Sequence, residues 1–295
     1  MKMSTFIVDF FFYPMEKLVL TTEDHASLTI HLFQPEKSNG KLLLINSATG
    51  VKQQVYFSFA NYFSEQGFTV ITYDYRGIGL SKPNNMKGFH GSMRIWGSRD
   101  YKTLTEYIKA QFPEYTKYCL GHSVGALILG MNEDSEMFEE FVFVGTQNAF
   151  VGHLKLRTKI EAYLGFGIVQ PITTSLLGYF PANWFGLGES LPKNCAYDWR
   201  TLILNKKSTN RLLEKIDDYS KNLTQKVFVI RAEDDVWLTE KGVLSLLNTT
   251  YPNLKPTYRL IKTSESEKKE IGHVNFFRSY NHKLWDIILN ELIDK

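Results

Sequence analysis

Cysteine is scarce: Cys119 and Cys195 are the only two in 295 residues. The first falls on a predicted buried strand and the second far away in a loop-like stretch. Both read as reduced thiols, and a reducing, cytoplasmic location is expected. Net charge is also small, +3 at neutral pH. No segment is dominated by lysine and arginine; pairs such as Lys206-Lys207 and Lys268-Lys269 sit among polar residues as solvated loops. Nucleic acid is therefore not an expected partner. No apolar run reaches about 18 residues, so no transmembrane helix and no stable membrane insertion are expected. The opening stretch MKMSTFIVDFFFYP has a short apolar run, but Asp9 interrupts it and no small-residue cleavage site follows. It is expected to cover the sheet edge rather than to target the chain. No pair of histidines or cysteines has metal-ligand spacing, so neither a metal nor another cofactor is expected. Internal repeats and low-complexity segments are missing. The partner left is a small-molecule substrate, and the oligomeric state stays open.

What is present is core-forming material, 43% hydrophobic and 14% aromatic, in a length that suits one large α/β domain or two small ones. Residues 17–21 and 28–33 read as a hairpin around the polar turn TEDHAS. Residues 41–46 (KLLLIN), 68–73 (FTVITY), 141–144 (FVFV) and 227–231 (VFVIR) are continuous apolar runs of strand length, as expected for strands buried on both faces. Residues 258–261 read as a further strand. Helical patterns over 55–63, 100–108, 241–248 and 284–292 alternate with them. The expected fold class is α/β, a mostly parallel central sheet flanked by helices. Between Gly145 and Thr224 the alternation stops, and the stretch reads as a helical, aromatic insertion into the sheet domain.

The chain is organised around KYCLGHSVGA at 117–126. A short β-rich run enters Gly121-His122-Ser123-Val124-Gly125, and an apolar helical run leaves it. Strand, G-x-S-x-G, helix is the context of a nucleophile elbow, in which glycines admit a tight turn and the serine hydroxyl stands on a strained knuckle. A serine hydroxyl needs a base, and the base an orienting acid. Glu233-Asp234-Asp235 follows a late strand, with Asp235 chosen as the acid and Asp234 in reserve, because the acid usually lies a few residues past the strand end. His273, in a Gly-His loop before the last helix, is the base. His122, inside the elbow, is expected to pack beneath it. One oxyanion donor is expected from the backbone N–H of Val124. The second is expected from the small-residue loop after KLLLIN, at Ala48, with Thr49 as the alternative.

With these residues placed, the chain resembles the α/β-hydrolase superfamily over nearly its whole length. The likeness is to bacterial hydrolases labelled serine aminopeptidase-like or monoacylglycerol lipase-like. INSATGV at 45–51, TYDYRGIGLS at 72–81, GHSVG at 121–125 and IGHVNFF at 271–277 carry it. The resemblance implies a triad of Ser123, Asp235 and His273. It also implies a helical cap over residues 151–222, with a core domain of 1–150 and 223–295. Two departures stand out. Asn46-Ser47 replaces the His-Gly common in the oxyanion loop, and AEDDVW lacks the Gly and Pro that often frame the acid. Serine at the elbow argues against the dehalogenase and epoxide-hydrolase branches. The DYRGIGLS turn reads as structural, with Arg76 tying loops together.

The insertion is rich in apolar side chains, most densely over 176–187. Trp184 and Phe185 are therefore expected to wall an acyl pocket, and Thr49 to touch substrate. The activity expected is hydrolysis of a carboxylic ester or thioester with a small, apolar acyl group, through an acyl-enzyme. A peptidase or amidase, and a catalytically silent binding fold, are the alternatives.

Overall fold

The computed structural model describes residues 15–293, so the opening stretch expected at the sheet edge lies outside the described residues. The apolar runs become an eight-stranded sheet. Its strands are β1 (Met15–Thr21), β2 (Ser27–Phe33), β3 (Lys41–Asn46), β4 (Thr69–Tyr73), β5 (Thr116–His122), β6 (Glu140–Val144), β7 (Lys226–Ala232) and β8 (Lys255–Ile261). They lie side by side in the order β1-β2-β4-β3-β5-β6-β7-β8. The hairpin β1–β2 and the pair β2–β4 are antiparallel, and every other pair is parallel.

Successive side chains of a strand point to opposite faces, and the central strands feed two separate cores in this way. Leu42, Leu44, Cys119, Phe141, Phe143 and Val229 pack on one side. Leu43, Ile45, Leu120, Val142, Val144 and Ile230 pack on the other, against the helix Phe57–Glu65 and the helix Asp286–Ile293. None of the described helices is long and apolar enough to cross a membrane.

The central position of β5 matters for function. Its register with β3 pairs Gly121 with Asn46, and its register with β6 pairs His122 with Val144. The carboxyl ends of β3, β5, β6 and β7 therefore converge, and ligand sites of open parallel sheets lie at that edge.

The segment between β6 and β7 is mainly helical, with helices at Leu156–Leu164, Gln170–Leu177 and Lys193–Leu204. It also holds a strand pair the sequence reading lacks, the two-residue strands Tyr179–Phe180 and Leu191–Pro192. The helix expected over 100–108 runs from Lys102 to Gln111 after a π-turn at Trp96–Tyr101.

Asp100 in that π-turn has another task. Its carboxylate accepts from Arg76 Nε at 2.6 Å and from the Arg76 N–H at 2.9 Å. The same guanidinium donates to both oxygens of Asp24, at 2.7 and 2.8 Å. Burial pushes the Asp100 carboxyl up to about 7 against the pull of Arg76. The Arg76 hydrogen bonds hold Asp24 far below the usual carboxylate range. Arg76 thus joins the β1–β2 turn, the turn after β4 and the π-turn. Arg76→Ala is expected to cost about 3–5 kcal/mol, because it leaves the buried Asp100 carboxyl without its cation, whereas Asp24 keeps Arg99. A denaturant melt checks it, and a loss under about 1 kcal/mol would contradict the role.

Candidate active site

The turn after β5 has no room for side chains at its two glycines. A Cβ on Gly121 would sit 2.5 Å from the Ala126 backbone, and one on Gly125 would sit 2.2 Å from the Asn46 carbonyl oxygen. Between them Ser123 adopts φ 53°, ψ −116°, a conformation costly for any residue with a Cβ. Its N–H donates to the Val144 carbonyl at 3.0 Å, and its own carbonyl accepts from Thr146 Oγ1 at 2.5 Å. The strained knuckle is thus pinned on both sides, to the last residue of β6 and to the loop just past it. Val124 opens the short helix Val124–Leu127, so its N–H has no intrahelical acceptor.

His273 and Asp235 come together at the ends of β8 and β7. His273 Nδ1 lies 2.6 Å from Asp235 Oδ2. A carboxylate only accepts, so Nδ1 donates to it, which leaves Nε2 as the ring nitrogen that faces away from the acid. The Asp235 side chain is almost wholly buried, and its other oxygen accepts from the Trp237 N–H at 3.0 Å. Asp234 points elsewhere. Its two oxygens accept the N–H groups of Ile271 and Gly272, each at 2.9 Å, and so fix the loop that carries His273. Of the two adjacent carboxylates, one touches the imidazole and the other holds its backbone.

His122 is fully buried under the elbow, where it links three loops. Its Nε2 is 2.8 Å from the His273 carbonyl and its Nδ1 is 2.7 Å from Tyr56 Oη. A carbonyl accepts, so Nε2 donates, and Nδ1 accepts from the tyrosine hydroxyl. Burial holds this imidazole well below its ordinary pKa, consistent with a neutral ring. The Tyr56 hydroxyl in turn accepts the Ala48 N–H at 2.9 Å. The chain of bonds runs from the loop after β3, beneath the serine, to the histidine loop.

This relay corrects one expectation. The Ala48 N–H has a single hydrogen and donates it in a bond to the Tyr56 hydroxyl, so it is not free as the second oxyanion donor. Thr49, the alternative, has no bond from its N–H among the described residues. The sequence placed His122 beneath the elbow but did not single out Tyr56, and the bonds of the relay cross 66 and 151 positions of sequence.

Ser123, Val124, Thr49, Ala48 and His273 all line one cavity of about 510 Å³. Its apolar wall comes from Phe166, Trp199, Leu202 and Ile203 of the segment between β6 and β7, and from Trp237 beside Asp235. Trp184 and Phe185 are not part of it, contrary to expectation. Trp184 is 65% exposed, and Phe185, 44% exposed, stacks on Phe180 at 5.7 Å. Both sit at the end of the short 3-10 turn Ala182–Phe185, and Gly186 and Leu187, which follow it, reach the cavity. The wall residues that were missed had signals: Trp199, Leu202 and Ile203 are spaced i, i+3, i+4, and Trp237 lies two residues past Asp235. Among the described residues, no group of three or more His, Cys, Asp or Glu side chains is placed to hold a metal.

Known proteins share parts of this arrangement. The profile of the family described as Serine aminopeptidase, S33, matches residues 38–147, from β3 through the elbow, short of Asp235 and His273. A probable lysophospholipase L2 of Haemophilus influenzae is 32% identical over 99 residues, which are 33% of this chain and 31% of that protein. The match thus spans about a third of that relative. A thermostable carboxyl esterase from Bacillus coagulans, solved with glycerol, superposes with a TM-score of 0.65 at 12% identity, over 94% of this chain and 97% of its own. An esterase from Pyrococcus furiosus gives 0.60 at 14% identity, over 95% and 91%. At such identities the structural likeness speaks for the fold. The sheet order, the elbow at the end of its central strand and these matches together place the chain in the α/β-hydrolase superfamily.

Proposed function

We propose that this chain is a serine hydrolase that cleaves a carboxylic ester or thioester of a small, apolar acyl group. The observation that carries the reading is the 2.6 Å bond of His273 to Asp235 on a histidine that shares one cavity with Ser123. In this reading His273 Nε2 takes the Ser123 proton as Oγ attacks the carbonyl carbon. Asp235 stabilises the imidazolium that forms, and the N–H groups of Val124 and Thr49 hold the oxyanion. The proton then passes to the leaving alcohol or thiol, and water releases the acyl group from Ser123 by the same steps. Residues 151–222 act as a cap on the core built by the rest of the chain. The two relatives named as esterases and the one named as a lysophospholipase agree with ester chemistry.

A peptidase would need a free carboxylate to receive a substrate amine. Glu189 does line the cavity, but Lys52 and Lys82 each approach it at 3.7 Å. Its charge is already met, which favours esters. The open space of about 510 Å³ leaves Ser123 unblocked, whereas a blocked serine would have favoured a silent binding fold.

An acyl-length series tests substrate class and wall together. With p-nitrophenyl esters, kcat/KM should rise from acetyl by up to about fourfold per added methylene, about 0.8 kcal/mol each, until the wall is filled, and then fall. Trp199→Ala should move that optimum to longer chains, whereas Trp184→Ala should leave the profile unchanged. A Trp199→Ala profile that differs only by a lower melting temperature would remove Trp199 from the acyl wall. A flat wild-type profile would remove the acyl pocket itself.

A further inference from the structure

The cap carries a helix that is inside out. From Leu156 to Leu177 the chain is helical throughout, with a π-turn at Gly165–Val169. Its buried side chains are Thr158, Ala162, Phe166, Gln170 and Thr174, mostly small or polar. Its outer stripe is Leu156, Ile160, Leu164, Ile168, Ile172 and Leu176, every one between 52% and 77% exposed. An ordinary surface helix has the opposite arrangement. The stripe runs about 30 Å along the helix, and contiguous apolar surface on this scale marks an interaction site. Beyond the helix, Trp184 and Phe185 add two exposed rings.

Charge indicates what covers this face. From Ala162 to Gly188 there is no Asp, Glu, Lys or Arg. The stripe begins among cations: Lys155, Arg157 and Lys159, of which only Arg157 has a carboxylate partner among the described residues, Glu161 at 3.0 Å. Residues 151–222 hold ten lysines and arginines against six carboxylates, +4, while the whole chain carries +3. A second copy fits this pattern poorly. Antiparallel pairing of two stripes would set Lys155 and Lys159 against the uncharged stretch 170–177, and parallel pairing would set them against themselves. An anionic lipid surface satisfies both halves, apolar contact for the stripe and negative headgroups for its basic end.

We propose that the outer face of the cap docks on lipid assemblies bearing anionic headgroups. The stripe settles at the level of the acyl boundary, and the helix lies in the plane of the surface rather than across it. Trp184 and Phe185 suit the headgroup level, where aromatic rings are favoured. The same elements serve the cavity from their other side, through Phe166 and through Gly186, Leu187 and Gly188. Docking would therefore bring the cavity against a store of acyl chains. That consequence rests on the ester-hydrolase reading; the docking does not.

Sedimentation with vesicles tests it, using the full chain with Ser123→Ala so that no turnover intervenes. Phosphatidylcholine vesicles with and without phosphatidylglycerol are the probes. Binding is expected to the mixed vesicles and to weaken with salt. The triple variant Leu164→Ser, Ile168→Ser, Ile172→Ser should weaken it by at least about tenfold. Lys155→Gln with Lys159→Gln should weaken binding to the mixed vesicles only. The triple variant in the wild-type background should keep p-nitrophenyl acetate hydrolysis within about twofold, since none of its sites lines the cavity. If p-nitrophenyl acetate is not hydrolysed at all, an unchanged melting curve stands in for that control, and the docking result is unaffected. Equal binding by the triple variant would overturn the proposal. So would absence of binding with a dimer that the triple variant separates, which would give the stripe to a second copy. Binding that emerges only after residues 1–14 are removed would give it to that segment instead, and would overturn the proposal too.

Discussion

Ser123→Ala is expected to lower ester turnover by about 10⁴ to 10⁶ while the melting temperature stays within a few degrees. The substitution removes one oxygen from a position whose packing is set by its backbone. The bonds that pin the knuckle, from the Ser123 N–H to Val144 and from Thr146 to the Ser123 carbonyl, use main-chain atoms only. Alanine keeps them and bears the same φ of 53°. What is lost is the atom that His273 would deprotonate and that would carry the acyl group. The N–H groups proposed for the oxyanion and the cavity would then supply only residual acceleration. Rates measured with the acyl length the wild type prefers, beside a thermal melt, check both halves. A variant that retains more than about a tenth of wild-type turnover would remove Ser123 as the nucleophile.

Asp235→Asn and Asp234→Asn are expected to differ in kind. Asp235→Asn should lower kcat by about 10⁴ at little cost in stability, because an amide leaves the imidazole without its anionic partner and permits the wrong tautomer. Asp234→Asn should spare most of the rate. Its carboxylate accepts two backbone N–H groups, from Ile271 and Gly272, and an amide has only one oxygen to offer them. One N–H is then left facing an NH₂ group, at a cost of about 1–3 kcal/mol in stability. Kinetics and a denaturant melt on the same two proteins separate the roles. Equal losses of rate, or the reverse order, would move the orienting acid away from Asp235.

The strands and the convergence of loops were legible because they depend on local patterns. Buried parallel strands need unbroken apolar runs, and a strand-to-helix turn as tight as that at Ser123 needs glycines on both sides. Ser123 and His273 could be named from position in the chain alone. The details that escaped depend on where a side chain points. Asp234 and Asp235 are neighbours of one chemistry, and only the turn of the backbone sends one to the imidazole and the other to the histidine loop. The Ala48 N–H looked free, but the hydroxyl of Tyr56, eight residues on, accepts its hydrogen bond. The segment between β6 and β7 misled most. A surface helix ordinarily turns its apolar side chains inward, yet Leu156, Ile160 and Leu164 face out while Thr158 and Ala162 face in. The same rule aimed Trp184 and Phe185 at the substrate, where the cavity wall is instead built by Trp199, Leu202 and Trp237.

The most direct measurement is the site of covalent trapping. Intact protein treated with a fluorophosphonate and digested for mass spectrometry should carry one phosphonyl group, on Ser123. Asp235→Asn should take it up far more slowly, and Ser123→Ala should not take it up at all. Well-folded wild-type protein that stays unmodified, or a phosphonyl group found on any other side chain, would contradict the account.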